Sequence, residues 1–150
     1  MTTGYDVPAK ELIDELAKKL QKEDAIKKPE GSTFLRTAVH KEKPPENPDW
    51  WYIRCASILR KIYINDTIGI QHLRFEYSGN KNRGSKPNKA LAGSGSIIRK
   101  SVQQLEKAGF VTKVKGKGRM ITAKGRSFVD NIANDVKKNI SSEYPDLAKY

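Results

Sequence analysis

Between Ser78 and Arg126 the sequence holds thirteen lysines and arginines and a single acid, Glu106, so almost all of the net charge of +12 sits in one third of the chain. The rest balances, sixteen cations against sixteen acids. Charge spread for solubility alone would be mixed throughout; concentration in one segment points to a polyanionic partner, and nucleic acid is the leading one. Within the segment the cations cluster at Lys81, Arg83 and Lys86, at Arg99 and Lys100, and at Lys115 and Lys117, each cluster beside glycines. Glycine lets a phosphate approach the backbone, and cations neutralise it. A second group lies upstream, where Trp50, Arg54, Ser57 and Lys61 recur at spacings of four, three and four with Arg60 alongside. On a helix those residues form one stripe, an aromatic ring in line with cations.

Other chemistries find no constellation. The only cysteine, Cys55, excludes an internal disulfide and a CxxC metal site, and His40 and His72 stand far apart with no cysteine near either. Gly79 to Gly84 imitates the first half of a phosphate loop, yet Ser85 stands where its lysine belongs and no strand is expected before it. No carboxylate pair or Ser/Cys/His arrangement suggests an enzyme, and neither a metal nor a cofactor is expected. No long apolar run or charged-then-apolar leader occurs, which predicts a cytoplasmic protein without a membrane span.

The elements that must position these residues follow from periodicity. The length of 150 residues and 37% hydrophobic content suit one modest domain, residues 1–150. Residues 6–22 predict an amphipathic helix capped by Asp6, with Leu12, Ile13, Leu16 and Leu20 inward. Ser32 to Val39 reads either as a short helix or as an irregular segment packed around Phe34 and Leu35, and the prolines at 44, 45 and 48 stiffen the approach to the central helix. That helix, Asp49 to Tyr63, turns Trp51, Cys55, Ile58, Leu59 and Ile62 into one apolar band, which leaves Trp50 on the far side without evident burial. A short β segment at Thr67 to Ile70 and a second helix through Tyr77 follow, then a glycine-rich basic loop, 78–95, expected to be mobile until phosphates order it. Ser96 to Ala108 predicts a third helix, Phe110 to Val114 and Met120 to Thr122 two strands around a Lys115 to Gly118 tip, and 123–140 a last helix capped by Thr122; the tail beyond Ile140 reads as poorly ordered.

This order predicts a mainly α fold: a winged helix-turn-helix core, about 49–123, built around the central helix, with N- and C-terminal helices added and a β-hairpin wing. Two binding functions then compete. One is an RNA-binding component that works by phosphate neutralisation and shape; the other is a DNA-binding winged-helix regulator. Cations extending beyond the third helix onto the loop, the wing and the central helix favour RNA.

Several stretches, YDVP near the start, HKE at His40 to Glu42, DWWYIRCASILRKIY, GNKNRG, GSIIRKSVQQLE, KGKGR and the T-x-x-G-R of Thr122 to Arg126, resemble small-subunit ribosomal protein nineteen of archaea and eukaryotes, the S-nineteen-e type. The resemblance spans nearly the whole chain and looks archaeal. It implies a helical fold with a winged-helix core, and a structural role in the head of the small subunit. Ribosomal RNA and neighbouring small-subunit proteins are the implied partners, with a part in subunit assembly and RNA maturation. It also implies functional roles for Trp50, Arg54 and Arg60, for Arg99 and Lys100, and for Gly118 and Arg119. With the cations read directly, the expected RNA-binding set is Trp50, Arg54, Arg60, Lys61, Lys81, Arg83, Lys86, Arg99, Lys100, Lys115, Lys117, Gly118 and Arg119, on a chain that is monomeric when free. Trp50 stacks either on a base or on the proline loop, and Arg60 either contacts RNA or covers an apolar edge with its stem.

Overall fold

The computed structural model describes residues 2–141 and 145; the tail after Ile140, apart from Ser141 and Pro145, falls outside that range. Among the described residues there are five α-helices and five short strands, four of the strands in two consecutive pairs. Helix α1 (Ala9–Leu20) buries Leu12, Leu16, Ala17 and Leu20 against α2 (Trp50–Asn65). Its N-cap lies two residues later than the sequence predicts. Asp6 is no helix cap; its carboxylate accepts from the Thr3 backbone N–H at 2.7 Å and from the Thr3 hydroxyl at 2.9 Å, and Pro8 takes the N-cap position. These bonds hold the Asp6 carboxyl below its ordinary range. A carboxylate this close to two donors is satisfied by its own turn and leaves the helix start to proline, whose fixed φ favours it.

The central helix α2 is the hub, touching α1, α4 and two strands. Its buried set is wider than the apolar band: Trp50 and Ala56 join Trp51, Cys55, Ile58, Leu59, Ile62 and Tyr63. Trp50 is only 7% exposed and stands edge-on to Trp51, ring centroids 5.5 Å apart, so the expectation of an unburied Trp50 fails. The proline-rich approach folds back over that side, held by Lys28, whose ammonium donates to the Pro48 carbonyl at 2.9 Å. Periodicity treats a helix as if one face met the core, whereas this one is also covered by its own leading loop.

Cys55 is fully buried on α2, and burial pushes its thiol up to about 12. A thiol that is neither accessible nor ionised reacts only when the core opens. A disulfide exchange reagent is therefore expected to leave the native protein unmodified at pH 8 and to react at the rate of global unfolding in urea; prompt reaction of native protein would contradict the packing of α2.

After α2, β1 (Thr67–Ile68) leads into α3 (Ile70–Glu76). The basic loop that follows is not a loop. Residues β2 (Gly79–Arg83) and β3 (Lys86–Leu91) form an antiparallel hairpin, pairing Gly79 with Leu91 and Lys81 with Lys89. Its turn is made by Gly84 at φ +71°, whose N–H donates to the Asn82 side chain at 3.0 Å. Low hydrophobicity signals disorder only when nothing else satisfies the backbone, and here ladder hydrogen bonds do. Ahead of it, Ser32–Phe34 forms one 3₁₀ turn and the chain then runs extended, Ala38 bridging to Gly93. Phe34 does not pack: it is 85% exposed.

Helix α4 (Gly95–Lys107) begins one residue before the expected Ser96, is capped by Ser94, and buries Ile97, Ile98, Ser101, Val102 and Leu105 as its periodicity predicts. Strands β4 (Val111–Val114) and β5 (Gly118–Ile121) complete a three-stranded antiparallel sheet in the order β1, β5, β4. Gly118 belongs to β5 rather than to the hairpin tip, and pairs with Val114. Helix α5 (Ala123–Ile140) packs on α1, capped by Thr122, whose hydroxyl accepts from the Gly125 N–H at 3.0 Å and donates to the Gly109 carbonyl at 2.7 Å.

Candidate nucleic-acid interface

The hairpin β2–β3 carries four cations and no acid, and its register sets like charges against each other. Lys81 lies opposite Lys89 and Arg83 opposite Lys86, and apart from the half-buried Lys81 these residues are exposed. Directly opposed residues share a face, so each pair costs stability in the free protein. None of the four has a salt-bridge partner among the described residues. Such a surface suits an anion that neutralises both strands at once. Lys89 was not among the residues singled out from the sequence; only the strand register places it with Lys81.

Two further groups are built in the same way, by elements whose other side is core. On α4 the burial of Ile97, Ile98 and Val102 turns Arg99 and Lys100 outward, and both are exposed. Past β4, the turn carries Lys115 and Lys117 into solvent, with Gly116 at φ +76° between them. These four cations, too, lack an acidic partner among the described residues.

Other members of the predicted set are held within the fold. Arg119 is half-buried and its Nε donates to Glu106 at 2.8 Å, tying β5 to α4 with the only acid of the basic segment. Gly118 adopts φ +109°, and a Cβ there would lie 2.5 Å from the Ile68 carbonyl oxygen, so glycine is required for β1 to pair with β5. Arg60 is half-buried, with its Nε enclosed.

The stripe on α2 resolves around a residue that helical spacing places only at the end of the second helix. Tyr77, at the C-cap of α3, receives the Arg54 guanidinium 4.1 Å from its ring centroid and the Lys61 ammonium at 5.3 Å, while its hydroxyl shares a hydrogen bond of 2.7 Å with Ser57. Burial raises the Tyr77 hydroxyl above its ordinary pKa. Lys61 is engaged further, donating to Glu76 at 2.6 Å; that bond is the main reason the Glu76 carboxyl is held below the usual glutamate range. A group with a depressed pKa contributes its stabilisation above the unfolded value and loses it as pH falls, so the Lys61–Glu76 tie persists at neutral pH and opens in acid. Arg54, Ser57 and Lys61 thus fasten α3 to α2, and of the two cations in the stripe Arg54, half-buried, lines an open cleft together with Trp50 and Ser57.

Among the described residues no group of three His, Cys, Asp or Glu is arranged to hold a metal ion, and no helix is long and apolar enough to cross a membrane. What the arrangement offers chemically is charge and hydrogen-bond donation on rigid elements.

Comparison with known proteins agrees in extent and kind. The family model described as ribosomal protein S19e matches residues 3–139. Small ribosomal subunit protein eS19 of Aeropyrum pernix is 44% identical over 152 aligned positions, covering all of this chain and 99% of that protein. The protein of the same name from Haloarcula marismortui is 40% identical with the same coverage, and small ribosomal subunit protein eS19G of Ascaris suum is 40% identical over 92% of this chain and 94% of its own length. A match of this length and identity, on a chain whose cations stand on rigid elements and whose sequence motifs run from end to end, places it: the chain belongs to the ribosomal protein S19e family, a family of structural ribosomal proteins and not of enzymes.

Proposed function

We propose that this chain is a component of the small-subunit head that binds ribosomal RNA, acts in the cytoplasm, and contributes to subunit assembly and to maturation of that RNA. In this reading the chain is one domain, and the segment about 49–123 is a winged helix in which α4 and the β4–β5 hairpin present cations. The observation that carries the proposal is the register of β2–β3, which opposes Lys81 to Lys89 and Arg83 to Lys86 with no salt-bridge partner among the described residues to relieve them. An arrangement that costs stability when free is explained by a partner that removes the cost, and a phosphate backbone does so. Lys81, Arg83, Lys86, Lys89, Arg99, Lys100, Lys115 and Lys117 are the side chains assigned to phosphates. Arg54 has a separate role in the cleft beside α2, whereas Lys61, Gly118 and Arg119 support the surface from within.

Reversing both Arg99 and Lys100 to glutamate tests this. Both side chains are exposed, so the helical circular dichroism of the double variant is expected to match the parent. Its affinity for small-subunit RNA should fall at least tenfold at physiological salt, and the slope of log K against log salt should decrease by about two, one for each phosphate no longer neutralised. Sedimentation after a salt wash should find the variant released from small subunits that retain the parent. Retention equal to the parent's, or a dimeric footprint on duplex DNA without ribosome association, would overturn the proposal.

A further inference from the structure

An open cleft of about 490 Å³ lies between the proline-rich approach and α2. Its walls are apolar and aromatic: Pro44, Pro45, Trp50 and Ile53, with Tyr77 at one side. Its charged lining is cationic, Lys41, Lys43 and Arg54, beside the hydroxyls of Thr37 and Ser57, and among the described residues no acid lines it. A neighbouring cleft, lined by Asp14 and Asp49 as well as Lys18, shows that this bias is not general to the surface around α2. The volume falls within the range that encloses a small molecule, and the composition, flat apolar walls with cations and no carboxylate, matches an aromatic ring that carries an anionic group.

We infer that this cleft receives one unstacked nucleotide of single-stranded ribosomal RNA, its base stacking on the Arg54 guanidinium and its phosphate meeting Lys41 or Lys43; the inference rests on the RNA-binding reading above. The geometry of Arg54 is the second support. Its planar group is already backed by the Tyr77 ring at 4.1 Å, and Tyr77 is fixed by its hydrogen bond with Ser57, so the stacking surface is formed before the ligand arrives. Guanidinium planes and aromatic rings are the usual platforms for splayed-out bases, and a preformed platform lowers the cost of ordering on binding. A third support is continuity. A smaller cavity of about 240 Å³ is lined by the same Thr37, Lys41, Arg54 and Tyr77 and continues to His40 and Ser78; its one acid, Glu76, is neutralised by Lys61. His40 in turn abuts Gly79, where the cationic hairpin β2–β3 begins, so a strand leaving the cleft on that side runs toward Lys81 and Lys89.

The protein reports on itself. It has two tryptophans, one lining the cleft and the other, Trp51, fully buried with its indole N–H bonded to Gln104. The indole N–H resonances of the full chain, assigned with Trp50→Phe, are followed while single-stranded hexauridylate or hexaadenylate, an RNA duplex, or inorganic pyrophosphate is added. The expected result is a saturable shift of the Trp50 signal with the single strands only, Trp51 moving little. Arg54→Met, which keeps an unbranched apolar stem and removes the planar cation, should weaken that single-strand affinity roughly tenfold, the size of one stacking interaction. Equal shifts with pyrophosphate, unchanged affinity in Arg54→Met, or a cleft that responds only to a peptide from a neighbouring ribosomal protein would overturn the inference. If these negative results accompany full affinity for small-subunit RNA, the nucleotide site alone is wrong. Loss of all RNA affinity in the parent protein would remove the underlying reading as well.

Discussion

Gly118→Ala is expected to destabilise the protein by about 3 kcal/mol, far more than the same change at Gly116. Both glycines have positive φ, +109° and +76°, a region where a side chain costs about 1–3 kcal/mol. At Gly116 nothing lies within 4 Å of the new methyl, so backbone strain is the whole cost, about 1 kcal/mol. At Gly118 the methyl would sit 2.5 Å from the Ile68 carbonyl oxygen and 2.8 Å from its carbon. Backbone cannot rotate away as a side chain can, so β1 must separate from β5 and the Thr67 to Met120 pairing breaks. Urea titration of the two variants measures the difference directly. Equal midpoints would show that β1 yields without cost and that Gly118 is not the keystone of the sheet. Against a total stability of about 5–15 kcal/mol, the expected loss lowers the amount of folded protein in a cell. Poor incorporation of a Gly118 variant into subunits would then report folding, and it should recover on cooling or with osmolyte, whereas loss through Arg99→Glu should not.

The second large effect is expected at Trp51. Its side chain is fully buried, and its indole N–H donates to the Gln104 side chain at 2.9 Å while Gln104 donates onward to the Lys27 carbonyl at 2.8 Å. One side chain therefore joins α2, α4 and the segment after α1. Trp51→Ala removes the largest group in the core and is expected to cost about 3–5 kcal/mol, with a lower unfolding midpoint and a core loose enough to expose Cys55. Trp51→Phe keeps most of the volume and breaks only the chain of hydrogen bonds, for an expected cost of about 1–2 kcal/mol. A double-mutant cycle with Gln104→Leu separates the two contributions: if the hydrogen bond matters, the second substitution should cost much less once the first is made. Full additivity would assign the whole effect to packing.

Most of the core is legible in the residue order. Ile97, Ile98, Ser101, Val102, Leu105 and Ala108 point inward as their spacing requires, and Thr122 caps α5 through the hydroxyl that its position implies. Helix periodicity and capping are local rules, and in these segments nothing distant competes with them. The candidate interface is legible only as composition. Arg119 and Lys61 count as cations in a sequence, but Glu106 is thirteen residues away from one and Glu76 fifteen from the other, separations that no helical spacing brings together. Periodicity misplaces Trp50 for a related reason, because its burial depends on packing beyond the one apolar band that helical spacing identifies.

By itself the sequence determined that the chain is basic in one segment, that its helices bury the faces they do, and to which family it belongs. These follow from residue type and short-range order, which survive in a linear text. Only the tertiary structure decided which cations are free to meet a phosphate. Strand register opposed Lys81 to Lys89, the pairing of β1 with β5 made Gly118 obligatory, and the packing of α3 on α2 set Tyr77 beneath Arg54. Charge acts through space, and whether a lysine is a binding group or half of an ion pair depends on neighbours that only folding supplies.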